Sequence, residues 1–177
     1  SGSLPPDVPE NFYANLIQLL KSRGAQVYLD AHGAALRYGC QAIPFLVMSN
    51  VVEASKVVGF SIDDQEDAKR AALPFLRMGI GIFALKLGTT DLLIASQHEM
   101  VFATSPRLTV RNATGAGDSL MAGMIYAQSK EMNLVEVARW AVATGAASVE
   151  SEGVSEFDIN RVQELLPAVD SKIINIL

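Results

Sequence analysis

The stretch Asn112-Ala113-Thr114-Gly115-Ala116-Gly117-Asp118 leads directly into the run SLMAGMIYA, and it restricts the fold more than any other part of the chain. Small residues and an acid stand before Leu120, Met121, Met124 and Ile125, which recur at helical spacing. The pattern predicts a glycine-rich turn feeding a helix N-terminus. Unpaired backbone N–H groups and the positive end of the helix dipole suit an anion there, and no bulky side chain keeps one away. Asp118 complicates that picture, because a carboxylate repels a bound phosphate unless it takes a proton from the group that attacks it. Two readings stay open on these residues alone. In one, Asp118 is the general base of a phosphoryl transfer and the amides of Gly115, Ala116 and Gly117 hold the anion. In the other, Asp118 only caps the helix, as Asp does in many proteins.

The rest of the chain alternates strand and helix signals. Apolar residues Phe12, Tyr13, Leu16, Ile17, Leu19 and Leu20 trace a helix face over 10–22, with Gly24 placed to end it. A strand over 26–30, a tight turn and a short helix over 35–39 follow. Residues 45–48 read as a buried strand stopping at Ser49-Asn50, and 53–58 as a short helix closed by Gly59. The spacing predicts a helix over 63–77 with Asp63 or Asp64 as its cap, then a strand over 80–86. Short strands are expected at 92–95, 100–103 and 108–110. After the glycine-rich turn come a helix to about residue 130 and a second over 134–149. That second helix carries a small-residue seam of Ala138, Ala141, Gly145 and Ala146. A last helix is expected at 159–166, and the tail IINIL reads as either a final strand or a loose end. This order predicts one α/β domain over 1–177 with a mostly parallel sheet covered on both faces. In such sheets ligands sit at the carboxyl ends of strands, where Asp30, Ser49-Asn50, 86–88 and 112–118 all fall.

Composition narrows the function classes. Half of the 177 residues are hydrophobic, but no apolar run has the length of a membrane span. Net charge is −5 and the 14 Lys and Arg are dispersed, so nucleic acid is not an expected partner. Cys40 is the single cysteine and cannot form an internal disulfide. SGSLPPDVPE has neither the basic region nor the apolar core of a signal peptide. A cytoplasmic location is therefore expected. His32 and His98 lack ligand spacing and are expected in loop or surface roles rather than on zinc.

Thr114-Gly115-Ala116-Gly117-Asp118, continued by Met121-Ala122-Gly123, resembles the C-terminal signature of the ribokinase-like (PfkB) carbohydrate kinases. Other segments agree in order. Ser1-Gly2-Ser3-Leu4-Pro5-Pro6 and Asp30 to Leu36 (DAHGAAL) resemble the phosphosugar branch, the 1-phosphofructokinase and tagatose-6-phosphate kinase types. Asn50-Val51-Val52-Glu53 resembles the family's N-x-x-E motif. Lys86-Leu87-Gly88 is similar to the nucleotide-contacting strand end, and 141–147 to the helix beside the adenine.

The resemblance implies a three-layer α/β/α fold and ATP-dependent phosphoryl transfer to a sugar or sugar phosphate. By it Asp118 is the base, and the amides of Gly115, Ala116 and Gly117 form the anion hole. Lys86, Gly88, Thr114, Ala143, Ala146 and Ala147 would contact nucleotide, while Asn50 and Glu53 would organise Mg²⁺ and its waters. Without the family, Asn50 simply ends a strand and Glu53 sits where a first helical turn favours an acid. Some positions depart from the pattern. Asp91 stands where glycine is usual, Met48-Ser49 replaces a common Lys-Pro, and Asn112 replaces an aspartate, which weakens the case for a monovalent cation. The matched segments correspond to the second half of such a kinase, so the sugar-binding half and the β-sheet lid are expected to be missing. The chain alone is expected to phosphorylate poorly or not at all. An uncovered sheet edge or apolar face would favour association of copies. A nucleoside kinase of the same family, or a non-catalytic nucleotide- or partner-binding module, are the competing readings. A Rossmann dehydrogenase fits poorly, since no G-x-G-x-x-G follows the first strand.

Overall fold

The computed structural model describes residues 1–174 and 176. Two compact units divide the chain, the first taking Ser1–Leu85 with Ala95–Gln97 and the second Lys86–Ile94 with His98–Leu177. Among the described residues six strands and seven helices give an α/β architecture, with parallel pairing in the first unit and antiparallel pairing in the second. No helix among the described residues is long and apolar enough to cross a membrane.

The first unit runs α1 (Phe12–Lys21), β1 (Tyr28–Asp30), α2 (Gly33–Gln41), β2 (Leu46–Asn50), α3 (Val51–Val58), α4 (Gln65–Arg77) and β3 (Ile82–Lys86), whose last residue passes to the second unit. Parallel pairing sets Tyr28 against Leu46 and Asp30 against Met48. Nearly every residue of β2 and β3 is buried, as continuous apolar strands covered on both faces should be. Phe75 of α4 stacks on Phe83 of β3 with ring centroids 3.9 Å apart. Asp64 caps α4 by accepting from the Asp67 N–H at 2.8 Å, and left-handed Gly59 closes α3. Two expectations shift here. Helix α2 starts at Gly33 rather than Ala35, and β2 carries on through Ser49-Asn50. The predicted face of α1 is only partly covered: Ile17 is buried, yet Phe12, Leu16 and Leu19 are 44%, 36% and 49% exposed.

The second unit holds β4 (Leu92–Ala95, its last residue in the first unit), β5 (Met100–Thr104), α5 (Ala116–Ser129), α6 (Leu134–Val149), α7 (Ile159–Leu165), a single 3₁₀ turn and β6 (Asp170–Ile174). β5 and β6 pair antiparallel from Met100–Ile174 to Thr104–Asp170. The tail thus supplies a strand through Ile173 and Ile174, while Asn175 and Leu177 of that expectation lie outside the described residues. No strand forms over 108–110. The chain there is tied to the end of α6 instead, because the N–H groups of Arg111 and Asn112 both donate to the Val149 carbonyl, at 2.8 and 3.2 Å. Helix α6 has thirteen of its sixteen residues buried, and its small-residue seam packs on α5. The approach is close enough that a Cβ on Gly123 would stand 2.6 Å from the Trp140 carbonyl oxygen. Leu120, Met121 and Met124 are buried as expected, but Ile125 is 42% exposed, on the outer side of α5.

Candidate functional site

The glycine-rich turn is held by its own side chains and by the loop over 150–158. Asn112 uses both ends of its amide: Oδ1 accepts from the Thr114 N–H at 2.9 Å, and Nδ2 donates to the Glu152 carbonyl at 3.1 Å. An aspartate at this position could make the first bond but not the second, having no donor when ionised. Gly115 is the N-cap of α5 with left-handed φ of 81° and no side-chain cap. Its carbonyl accepts the first helical bond from Ser119 N–H at 3.0 Å and a second from the Ser155 hydroxyl at 3.1 Å. Ser155 itself adopts a left-handed φ of 53°, uncommon for a residue with a Cβ.

Asp118 lies in the first turn of α5, exposed, and makes no cap bond. Its carboxylate is therefore not consumed in holding the helix end. The Ala116 N–H turns back to the Ala113 carbonyl at 3.3 Å, so of the three expected anion donors this one already has an acceptor. The amides of Gly117 and Asp118 have none among the described residues, as the first turn of a helix leaves them. Residues missed by sequence reading here are Ser155 and Glu152, which carry no motif and act through position alone.

The strand-end loop after β3 belongs to the same unit. Lys86 ends β3, the Leu87 N–H donates to the Asp91 carbonyl at 2.9 Å, and Gly88 has open space where a Cβ would stand. Asp91, unexpected in a loop of this kind, is an anchor: its Oδ1 accepts from the Ser105 N–H at 2.9 Å and the Ser105 hydroxyl at 3.2 Å. Buried Thr90 donates to Ser105 Oγ at 2.7 Å. On α6, Ala143 and Ala146 are fully buried, whereas Ala147 borders an open groove shared with Glu150, Phe157, Asp158 and Arg161.

Within the first unit, Asn50 and Glu53 form a capping box at the start of α3. Asn50 Oδ1 accepts from the Glu53 N–H at 2.9 Å, and Glu53 Oε2 accepts from the Asn50 N–H at 3.4 Å. Glu53 Oε1 contacts Nδ1 of His32. The His32 partnership was not foreseen. The signal that could have found it is the parallel pairing of β1 and β2, whose register, continued two residues past Asp30 and Met48, sets His32 beside Asn50.

The donor set suits a hard cation: an amide oxygen and a carboxylate, with no soft ligand. Among the described residues no cluster of three or more His, Cys, Asp or Glu could hold a metal. A cation at Asn50 and Glu53 would accordingly keep water in most of its coordination positions, which Mg²⁺ does readily. An anion suits the start of α5, where the Gly117 and Asp118 amides have no acceptor among the described residues and neither Gly115 nor Gly117 carries a side chain.

Residues 1–160 match the family described as pfkB family carbohydrate kinase. The chain is 34% identical over 142 residues to the 1-phosphofructokinase of Rhodobacter capsulatus, covering 80% of this chain and 45% of that protein. It is 32% identical over 171 residues to the 1-phosphofructokinase of Bacillus subtilis, covering 96% of this chain and 55% of the relative. Escherichia coli phosphofructokinase-2, solved in complex with substrates and products, superposes with a TM-score of 0.89 at 25% identity over 95% of this chain and 55% of that one. The chain belongs to the pfkB family of carbohydrate kinases, and its fold is the ribokinase-like α/β fold of those kinases. It spans about half the length of the curated relatives it matches.

Proposed function

We propose that this chain carries the nucleotide-binding and base-bearing part of an ATP-dependent kinase acting on a sugar phosphate. The observation that carries the reading is Asp118, an exposed acid in the first turn of α5 that caps nothing, beside the free amides of Gly117 and its own N–H. A phosphoryl transfer needs positioning and charge neutralisation more than covalent chemistry. Asp118 accepts the proton of the attacking hydroxyl as that oxygen bonds the terminal phosphorus of ATP and the bond to the departing ADP breaks. The Gly117 and Asp118 amides, with the dipole of α5, hold the negative phosphate oxygens in place. Gly115 gives the turn its left-handed bend, Thr114 borders it, and Lys86 and Gly88 line the nucleotide side. The α6 segment with Ala143, Ala146 and Ala147 backs the adenine. Asn50 and Glu53 would hold a hydrated Mg²⁺, which would supply positive charge for phosphate oxygens. A sugar phosphate is favoured over a nucleoside as acceptor because the relatives at 34% and 32% identity are 1-phosphofructokinases.

The test pairs ADP binding by this chain with single-turnover transfer from labelled ATP to a panel of sugar phosphates, the transfer read in a chimera that joins this chain to the sugar-binding half of a 1-phosphofructokinase relative. Gly117→Val is expected to weaken ADP binding at least tenfold in calorimetry, by filling the anion site. Asp118→Asn is expected to keep ADP binding within about threefold and to slow transfer by about 10²–10⁴. Unchanged ADP affinity in Gly117→Val, or transfer at the parent rate in Asp118→Asn, refutes the assignment.

A further inference from the structure

We propose that His32 is a positioning residue for Glu53, its Nδ1–H fixing the carboxylate that receives the waters of a bound divalent cation. This rests on the reading of Asn50 and Glu53 given under the proposed function. His32 occupies the N-cap position of α2 in an extended conformation, yet makes no cap bond to its own helix. Ser, Thr, Asp or Asn normally fills that position to satisfy a helical N–H. The imidazole instead reaches the junction of β2 and α3 and meets Glu53 Oε1. A carboxylate only accepts, so Nδ1 is the donor in this contact.

Glu53 without this contact would be held by one long bond, the 3.4 Å approach of the Asn50 N–H to Oε2. With it, both oxygens are pinned from different elements and the side chain has a single orientation. Two of its roughly four lone-pair directions are then spent on the protein, and the other two stay open to water. Glu53 is 14% exposed and His32 is 49% exposed, so the carboxylate is partly sheltered and its partner closes the solvent side. Partners that orient a metal site's carboxylate from behind are worth about 10–100-fold in metal affinity.

Mn²⁺ alone serves as the probe, with binding to the full chain followed by the loss of the free-ion electron paramagnetic resonance signal. His32→Ala is expected to weaken Mn²⁺ about tenfold. His32→Asn, whose amide N–H can stand near the place of Nδ1–H, should return to within threefold of the parent. Glu53→Gln should lose at least tenfold, and adding His32→Ala to it should cost nothing more. Nitrogen-15 spectra should show His32 as the Nδ1–H tautomer, reverting to the commoner Nε2–H form in Glu53→Gln. If His32→Ala binds Mn²⁺ within twofold of the parent while Glu53→Gln loses tenfold, the role of His32 is overturned and that of Glu53 stands. If both bind like the parent, or the parent binds no Mn²⁺, the reading of Glu53 falls and takes His32 with it. An Nε2–H tautomer in the parent overturns the positioning role whatever the affinities.

Discussion

Gly115→Ala tests whether the turn before α5 is held by the shape described for it. A Cβ on Gly115 would stand 2.0 Å from Ser155 Oγ and 3.2 Å from the Ser155 backbone nitrogen. The left-handed φ of 81° costs any residue with a Cβ about 1–2 kcal/mol. Moving Ser155 aside loses its bond to the Gly115 carbonyl, worth about 1 kcal/mol. The single variant should therefore lose about 2–3 kcal/mol. Ser155→Gly alone should be close to neutral, because losing that bond is offset by relief of the 53° φ at the same residue. The double variant removes the collision and should lose only about 1–2 kcal/mol, less than the single one. Trp140, the one tryptophan, lies on α6 in the same unit and reports its unfolding in urea by fluorescence. A Gly115→Ala cost below 0.5 kcal/mol, or a double variant no better than the single, would refute the account of the turn.

Two further predictions concern packing and burial. Gly123→Ala puts a Cβ against backbone, 2.6 Å from the Trp140 carbonyl oxygen and 2.9 Å from Ala141 Cα. It should cost about 1–3 kcal/mol in the same assay despite alanine's better helix propensity. Gly145→Ala meets side chains rather than backbone, Leu120 at 3.0 Å and Thr90 at 3.6 Å, and should be milder; the reverse ranking would contradict the close approach of α5 and α6. Burial pushes the Cys40 thiol from its ordinary 9.0 up to about 12. The folded value lies above the unfolded one, so this contribution is complete below pH 9 and lost as pH climbs toward 12, at about 1.4 kcal/mol per pH unit. Cys40→Ala should show a shallower fall of the urea midpoint between pH 9 and 10.5 than the parent, and equal slopes would discount the buried thiol.

Some of this architecture was legible in residues and some was not. The bounds of α6 could be read in advance because Asn133 is a preferred cap and its Oδ1 accepts from the Glu136 N–H, with no glycine or proline breaking the run beyond the seam. The start of α5 was legible for a similar local reason. The strand expected at 108–110 failed because β-branched residues favour extended backbone but cannot supply a ladder partner. The outward turn of Ile125 and of half of the α1 face also lay beyond periodicity, which shows that a face exists but not how much of it is covered. Of the candidate site, the motif residues were legible. Their supports were not: His32 and Glu53 are 21 positions apart, Asp91 and Ser105 14, and Gly115 and Ser155 40. Strand pairing and loop crossing create those neighbours, and neither is written in local spacing.

Helix α6 also bears on how the protein behaves once unfolded. With thirteen of sixteen residues buried, and Glu136 and Arg139 its only charges, it turns no more than Val135, Glu136 and Arg139 toward water. Any opening that separates it from α5 exposes a nearly uncharged apolar segment, the kind of surface through which partly unfolded chains associate. Heating should then end in precipitation rather than a reversible transition, and the half-life at a given temperature should shorten as protein concentration rises.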